Sequence, residues 1–277
     1  SPYIDIATLS RGYKRKSRGF QWVQVFDNAS SKGDEPIQFK KKFPSVPVAV
    51  SESRNIGIPM ILKQYPDTKA ILLDDAFQHR SVIPGLNILL TEYNNLFVDD
   101  FILPAGRLRE PKSAYHRADI IVVSKSPDEI SPSERQAITT RINPQANQSL
   151  YFSKYSYGSP YYIFDKSISL DLNEASRVIL ISAIASVDYL LDYLDSVCIV
   201  ENLVQYEDHH YFTDFEMEQF KKIYDNITTD NTVFLTTEKD ATRLELHRDF
   251  LMKHNIPIFV LPVEVAFLDN DKAEFDD

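Results

Sequence analysis

The sequence predicts an α/β fold: a mostly parallel sheet with helices on both faces, followed by a second, smaller α/β lobe. Three observations carry that expectation. Short β-rich apolar runs recur along the 277 residues, helix-like segments lie between several of them, and one aromatic stretch breaks the rhythm before it restarts. Buried runs separated by helices imply βαβ units, and such units build parallel sheets.

In order, strands are expected at residues 4–9 (IDIATL), 46–50 (VPVAV), 70–73 (AILL), 87–91 (NILLT) and 119–124 (DIIVVS), with helices at 51–64 and 131–142. Residues 149–164, SLYFSKYSYGSPYYIF, are two alternating aromatic runs around Gly158-Ser159-Pro160, which reads as a two-stranded hairpin. Beyond it, strands are expected at 177–185, 232–236 and 258–265, and helices at 187–194, 213–226 and 241–255. The division expected is therefore an N-terminal α/β core at residues 1–147, a β-hairpin linker at 148–166 and a C-terminal α/β lobe at 167–277. The acidic end, DNDKAEFDD, reads as a solvated tail.

Composition narrows the function. A hydrophobic content of 43% with 12% aromatics is globular. One cysteine, Cys198, excludes an internal disulfide and favours a reducing compartment. No apolar run approaches the roughly 20 residues that cross a bilayer. The N-terminus lacks the basic-then-apolar order of a signal peptide and reads as a chain entered in mid-domain. A net charge of −10 argues against a general nucleic-acid binder. Residues 1–42 nevertheless hold nine Lys or Arg against four acids. That basic front suits an anionic ligand or lipid surface, or is simply a solvated face.

Several stretches carry chemistry-bearing side chains. In AILLDDAFQHR (70–80), an apolar run ends in Asp74 and Asp75, followed by Gln78, His79 and Arg80. Function in an open parallel sheet gathers beyond the carboxyl ends of the strands, and acids there hold Mg²⁺ in P-loop nucleotide-binding proteins; a polar strand end is the plain alternative. FILPAGRLREPKSAYHRADIIVVSK (101–125) presents Arg107, Arg109 and Glu110 on a loop marked by Pro104, Gly106 and Pro111. Arginines there suit a transferring phosphoryl group, or are exposed turn charges. In SKGDEPIQFKKKF (31–43), Asp34 either caps a helix with Pro36 in its first turn or orients and deprotonates an attacking hydroxyl. In YEDHHYFTDFE (206–216), His209 and His210 precede a helix capped near Thr213. Adjacent histidines in an extended segment point to opposite sides, so only one is expected at a site.

Taken together, LSRGYKRK (9–16), GDEP (33–36), LDDAFQHR (73–80), LPAGRLREP (103–111), DHH (208–210) and TEKDA (237–241) resemble, in order, the tetraacyldisaccharide 4′-kinase family of lipid A biosynthesis. The resemblance implies a P-loop-kinase-like core and an ATP- and Mg²⁺-dependent kinase, peripheral at the cytoplasmic face of the bacterial inner membrane. It implies phosphorylation of the 4′-hydroxyl of a tetraacylated glucosamine disaccharide 1-phosphate, the lipid A precursor, with no nucleic-acid partner and no obligate protein partner. Residue by residue, it places Asp34 as the catalytic carboxylate and His209 as its partner from the other lobe, so that lobe closure would assemble the pair. Asp74 and Asp75 match the acidic pair at the metal, Arg109 and Glu110 the loop near the phosphates, and Gln78 and His79 the site lining. Lys239 and Asp240 receive no role beyond shaping the second lobe.

The sequence departs from the family in one large respect. It contains no GxxxxGK[ST] segment and no Gly-Lys pair. The family keeps that loop ahead of LSRGYKRK, so the expectation is an N-terminally truncated member, inefficient as a kinase in this form. Two other readings compete: a non-catalytic binder of acidic lipid or lipid A precursor, and a DHH-type metal phosphoesterase.

Overall fold

A computed structural model describes residues 5–227 and 232–276. Residue 4 of the first expected strand and residue 277 of the expected tail lie outside them. The α/β class holds: strands form three sheets whose central pairings are parallel, with antiparallel partners at the edges. Among the described residues no helix is long and apolar enough to cross a membrane.

The chain forms two compact units, one comprising the chain up to Asp74 with Gly158–Pro262, the other Asp75–Tyr157 with the chain from Val263 onward. These units cut across the three successive segments expected from sequence. The first unit holds two sheets. One has the order β2 (Gln21–Val23), β3 (Val48–Val50), β1 (Ile6–Ser10), β4 (Ala70–Leu73). The other runs β11 (Ile199–Gln205), β10 (Arg177–Ser182), β12 (Thr232–Thr237), β13 (Ile258–Leu261), β8 (Tyr161–Tyr162), β9 (Asp165–Ser169). In both, the earliest parallel strand is central and later strands add on either side, which creates a switch point at the carboxyl ends of β1 and β10.

The switch point in the larger sheet follows from its connections. β10 leads through α5 (Asp188–Val197) to β11 on one side. The chain then returns through α6 (Asp214–Asp225) to β12 on the other. Helix α6 starts where Thr213 and Glu216 form a reciprocal capping box, satisfying two otherwise orphaned N–H groups. Its Met217 and Phe220 are buried with Phe234 of β12 and Ile179 and Ile181 of β10. At about 1.5–3 kcal/mol for each large apolar side chain removed from water, this layer holds α6 firmly on the sheet.

The second unit has the sheet order β14 (Val263–Phe267), β7 (Ser149–Tyr157), β6 (Ile120–Ser124), β5 (Ile88–Glu92). Its core joins Ile121 and Val123 of β6 and Phe152 of β7 to Ile138 and Ile142 of α4 (Pro132–Ile142).

Four expectations need correction. A two-stranded antiparallel ribbon exists where the hairpin was expected, but its partner strand is β14 rather than residues 161–164: Tyr157 pairs with Val263 and Ser153 with Phe267. β8 pairs instead with β13. Second, the single strand expected at 258–265 is two strands in different sheets, because Pro262 has no N–H to continue the ladder. Third, the acidic end, though largely exposed, is an anchored helix rather than a free tail. It forms α9 (Asp271–Asp276), where buried Asp271 accepts from the Phe152 N–H at 2.7 Å and pairs with Arg135 at 3.0 Å. Likewise the helix expected at 241–255 is α7 (Glu238–Leu244), a 3₁₀ turn and α8 (Arg248–Lys253).

Candidate active site at Asp34 and His209

Four loops of the first unit meet at the carboxyl ends of its sheets. After β1, the chain turns through Gly12 at φ +70°. A Cβ there would lie 2.8 Å from the Lys32 carbonyl oxygen, so only glycine lets these segments touch. Gly33, at φ +95°, packs against the Gly12 backbone and opens α2 (Asp34–Lys42). Asp34 is the first residue of that helix, with Pro36 in the first turn and Lys40, Lys41 and Lys42 in the last, an order the helix dipole favours. The Asp34 side chain is nevertheless turned inward and 4% exposed. A solvated cap has no need of such burial.

Asp34 is buried among partners from distant sequence. Its Oδ2 lies 2.9 Å from His209 Nδ1 and accepts from Arg243 Nη1 at 2.8 Å. Its Oδ1 accepts the Glu35 N–H at 3.0 Å. His209 follows β11, holds φ +60°, and is fixed there by its own N–H on the Ala183 carbonyl at 3.1 Å. That backbone region costs a non-glycine residue about 1–2 kcal/mol, and the surrounding contacts impose it. The Tyr13 ring meets the His209 ring edge-on at 5.1 Å, and Lys14 donates to the Asp208 carbonyl at 3.3 Å. His210 turns away: its Nε2 lies 2.8 Å from Glu216 Oε1, and its ring stacks on Tyr206 at 4.6 Å. The two histidines therefore part company, although His209 sits in a turn at φ +60° and not in the extended segment expected.

Helix α7 supplies the rest. Thr237 caps it, accepting the Asp240 N–H at 3.1 Å and donating to Asp240 Oδ2 at 2.8 Å. Asp240 also accepts the Ala183 N–H at 3.1 Å and forms a close ion pair with Arg243. Arg243 donates onward to the Ala183 carbonyl at 3.2 Å. Burial pushes the Asp240 carboxyl up from its ordinary range, and Arg243, the Ala183 N–H and the Thr237 hydroxyl pull it back. Burial likewise raises the Tyr211 phenol, with the Asp34 charge adding to it, so Tyr211 stays a neutral donor to the Ala29 carbonyl. Lys239, four residues before Arg243 on α7, reaches His209 Nε2 at 3.1 Å and Asp208 Oδ1 at 3.3 Å.

Asp34 and His209 belong to one compact unit and are already in contact. The expectation that they come from separate lobes and need lobe closure to meet is thereby overturned. Not all of the basic front of the sequence is a free face either. Arg15 is buried against Glu52, Lys32 donates to Gln21, and Lys41 and Lys42 pair with Glu245 and Glu238.

Asp74 follows β4, where its N–H donates to the Leu9 carbonyl at 3.1 Å and its own carbonyl accepts from buried Arg54 at 2.9 Å. In the second unit, Asp75 at φ +43° accepts from Arg109 Nη1 at 3.0 and 3.1 Å, and the same nitrogen lies 3.5 Å from Gln78 Oε1. Glu110 faces inward instead, accepting from Arg117 at 2.6 Å; Arg117 also donates to the Phe77 carbonyl at 3.1 Å. His79 contacts Ser81 at 3.0 Å, and Arg107 pairs with Asp100 at 3.2 Å.

No cluster of three or more His, Cys, Asp or Glu side chains stands ready for a metal among the described residues. Mg²⁺ needs none: it takes one or two carboxylates and completes its shell with water and phosphate oxygens. The Asp75 carboxylate, 66% exposed, is an oxygen donor of that kind.

Residues 3–276 match the family profile described as LpxK, "Tetraacyldisaccharide-1-P 4'-kinase". The tetraacyldisaccharide 4′-kinase of Bacteroides thetaiotaomicron is 41% identical over 282 residues, covering 98% of this chain and 74% of the relative. The chain belongs to the tetraacyldisaccharide 4′-kinase family. The Bacteroides fragilis enzyme of that name is 40% identical with the same coverage. A crystal structure described as LpxK from Aquifex aeolicus in complex with ATP superposes with a TM-score of 0.71 at 26% identity, over 98% of this chain and 78% of that one.

Within this family member, sequence reading missed Arg243, Arg117 and Arg54. For Arg243 a signal was present: Lys239, Asp240 and Arg243 fall at i, i+1 and i+4, so a helix brings the first and last to one face. Nothing local marked Arg54 or Arg117 as ties between distant segments: beside their near partners, the Ser51 carbonyl and Glu110, they reach the Asp74 and Phe77 carbonyls 20 and 40 residues away.

Proposed function

We propose that this family member transfers the γ-phosphate of ATP to the 4′-hydroxyl of a tetraacylated glucosamine disaccharide 1-phosphate. The observation that carries the proposal is the 2.9 Å contact of Asp34 with His209, which joins two motifs 175 residues apart in a buried, charged setting.

In this reading Asp34 accepts the hydroxyl hydrogen bond and takes the proton as the hydroxyl oxygen bonds to the γ-phosphorus and the bond from that phosphorus to the departing ADP oxygen breaks. His209 and Arg243 hold the carboxylate in place from its Oδ2 side. Phosphoryl transfer needs little covalent assistance, so positioning and charge neutralisation carry most of the rate. Mg²⁺, held at Asp74 and Asp75, would neutralise charge on the β- and γ-phosphates. Arg109, 60% exposed at its side chain, presents a guanidinium to phosphate oxygens. Gln78 supports Arg109 and His79 lines the same segment, while Glu110 fixes the loop through Arg117. A peripheral place at the cytoplasmic face of the inner membrane belongs to the same proposal, since the acceptor is a lipid.

The test is transfer of labelled γ-phosphate from ATP to the disaccharide 1-phosphate by the gene's whole product. Acceptor-dependent labelling at the 4′ position supports the reading. ATP and acceptor that bind without transfer would instead favour a lipid-binding protein.

A further inference from the structure

The strongest unassigned feature is Lys239, which touches the imidazole nitrogen that faces away from Asp34. Its Nζ lies 3.1 Å from His209 Nε2. An ammonium group only donates, so Nε2 must be the acceptor and must carry no proton. The remaining ring proton then sits on Nδ1, 2.9 Å from Asp34 Oδ2.

We infer that Lys239 is a positioning residue that fixes the His209 tautomer, so that Nδ1–H always points at Asp34. The inference rests on the reading of Asp34 as the carboxylate that receives the hydroxyl.

The groups around the ring favour this arrangement. Asp208 Oδ2 is the competing partner for Nε2, but at 3.5 Å it is the more distant. Lys239 occupies that carboxylate through Oδ1 at 3.3 Å, and faces Glu35 at 3.6 Å. A doubly protonated ring would turn an N–H toward the ammonium group, placing donor against donor. On the far side Arg243 donates to the same Asp34 oxygen at 2.8 Å, so Oδ2 is engaged twice, while Oδ1 accepts the Glu35 N–H at 3.0 Å and keeps a lone pair for the hydroxyl. Lys239 and Arg243 stand one helical turn apart on α7, so a single element grips the Asp34–His209 pair from both ends. Without Lys239, Asp208 is the remaining partner of Nε2, and a proton bound there would leave the ring doubly protonated or in the other tautomer, so that its state against Asp34 would no longer be single.

The test labels the histidines with ¹⁵N in the whole gene product, assigns His209 with His209→Asn, and reads the protonation of each ring nitrogen from long-range ¹H–¹⁵N correlations. The inference predicts protonated Nδ1 and bare Nε2 in the parent protein, and a population protonated at Nε2 in Lys239→Met. With it, kcat falls about tenfold while KM stays within about twofold, and Lys239→Arg restores most of the loss. A parent His209 protonated at Nε2, a Lys239→Met protein with an unchanged tautomer, or one with unchanged kcat overturns the inference. Failure of the underlying reading shows separately: Asp34→Asn would then turn over normally, whatever the imidazole signals report.

Discussion

Replacing Arg243 by methionine tests the buried charge network at its centre. The Arg243 side chain is 1% exposed, and its two acidic partners, Asp34 and Asp240, are 4% and 0% exposed. Methionine keeps much of the volume and removes the charge. Asp240 then retains the Ala183 N–H and the Thr237 hydroxyl, and Asp34 retains His209 and the Glu35 N–H, but neither has a fixed cation. Breaking a buried ion pair from one side costs about 3–5 kcal/mol, because the stranded charge dominates the loss. With a urea dependence of about 2 kcal/mol per molar, the unfolding midpoint should fall by about 1.5–2.5 M. The lone tryptophan, Trp22, sits in the same unit between Phe20 and Tyr65, so its fluorescence reports this unfolding. Adding Asp240→Asn to the variant removes one stranded charge and should recover about 1–2 kcal/mol. A midpoint shift below about 0.5 M for Arg243→Met, or no recovery in the double variant, would refute the reasoning.

Other expectations separate stability from chemistry. Arg109→Ala removes an exposed pair with Asp75, so the melting curve should move by less than about 1 kcal/mol while phosphate transfer falls about a hundredfold in initial-rate assays. Gly33→Ala forces a Cβ at φ +95° to within 3.2 Å of Gly12, and should lower stability by about 1–2 kcal/mol in Trp22-monitored urea unfolding. At Glu216, burial pushes the carboxyl up, but hydrogen bonds from His210 and Thr213 outweigh it and hold it below its ordinary 4.5. A depressed acid contributes stability that is present above its unfolded value and lost as pH falls through the folded one. Thermal melts between pH 5 and 3 should therefore decline less steeply for Glu216→Gln than for the parent.

How far the sequence foretells this structure depends on how local each cause is. The strands at Ala70–Leu73 and Ile120–Ser124 and the helices at Pro132–Ile142 and Asp214–Asp225 are legible because apolar runs and capping residues lie within each segment. The interleaved units are not, because they depend on Val263–Phe267 choosing Ser153–Tyr157 as partner from more than 100 residues away. The Pro262 break is legible in the sequence, since a proline cannot donate to a continuing ladder. Asp271 looks solvated in sequence, and its burial becomes tolerable through Arg135, which pairs with it across 136 residues, and the Phe152 N–H. At the site, Asp34 and His209 stood out by type and motif, while Arg243 looked like an ordinary helix surface residue. Its role arises from a helix that begins at the end of β12 and aims it at the Ala183 loop.

The turnover of Asp34→Asn at saturating ATP and acceptor tests the account most directly. Asparagine keeps the shape and can still accept from Arg243, but it cannot take a proton or hold the ion pair. The account predicts a fall in kcat of about a hundredfold or more with acceptor binding preserved. Turnover within a fewfold of the parent protein would contradict it.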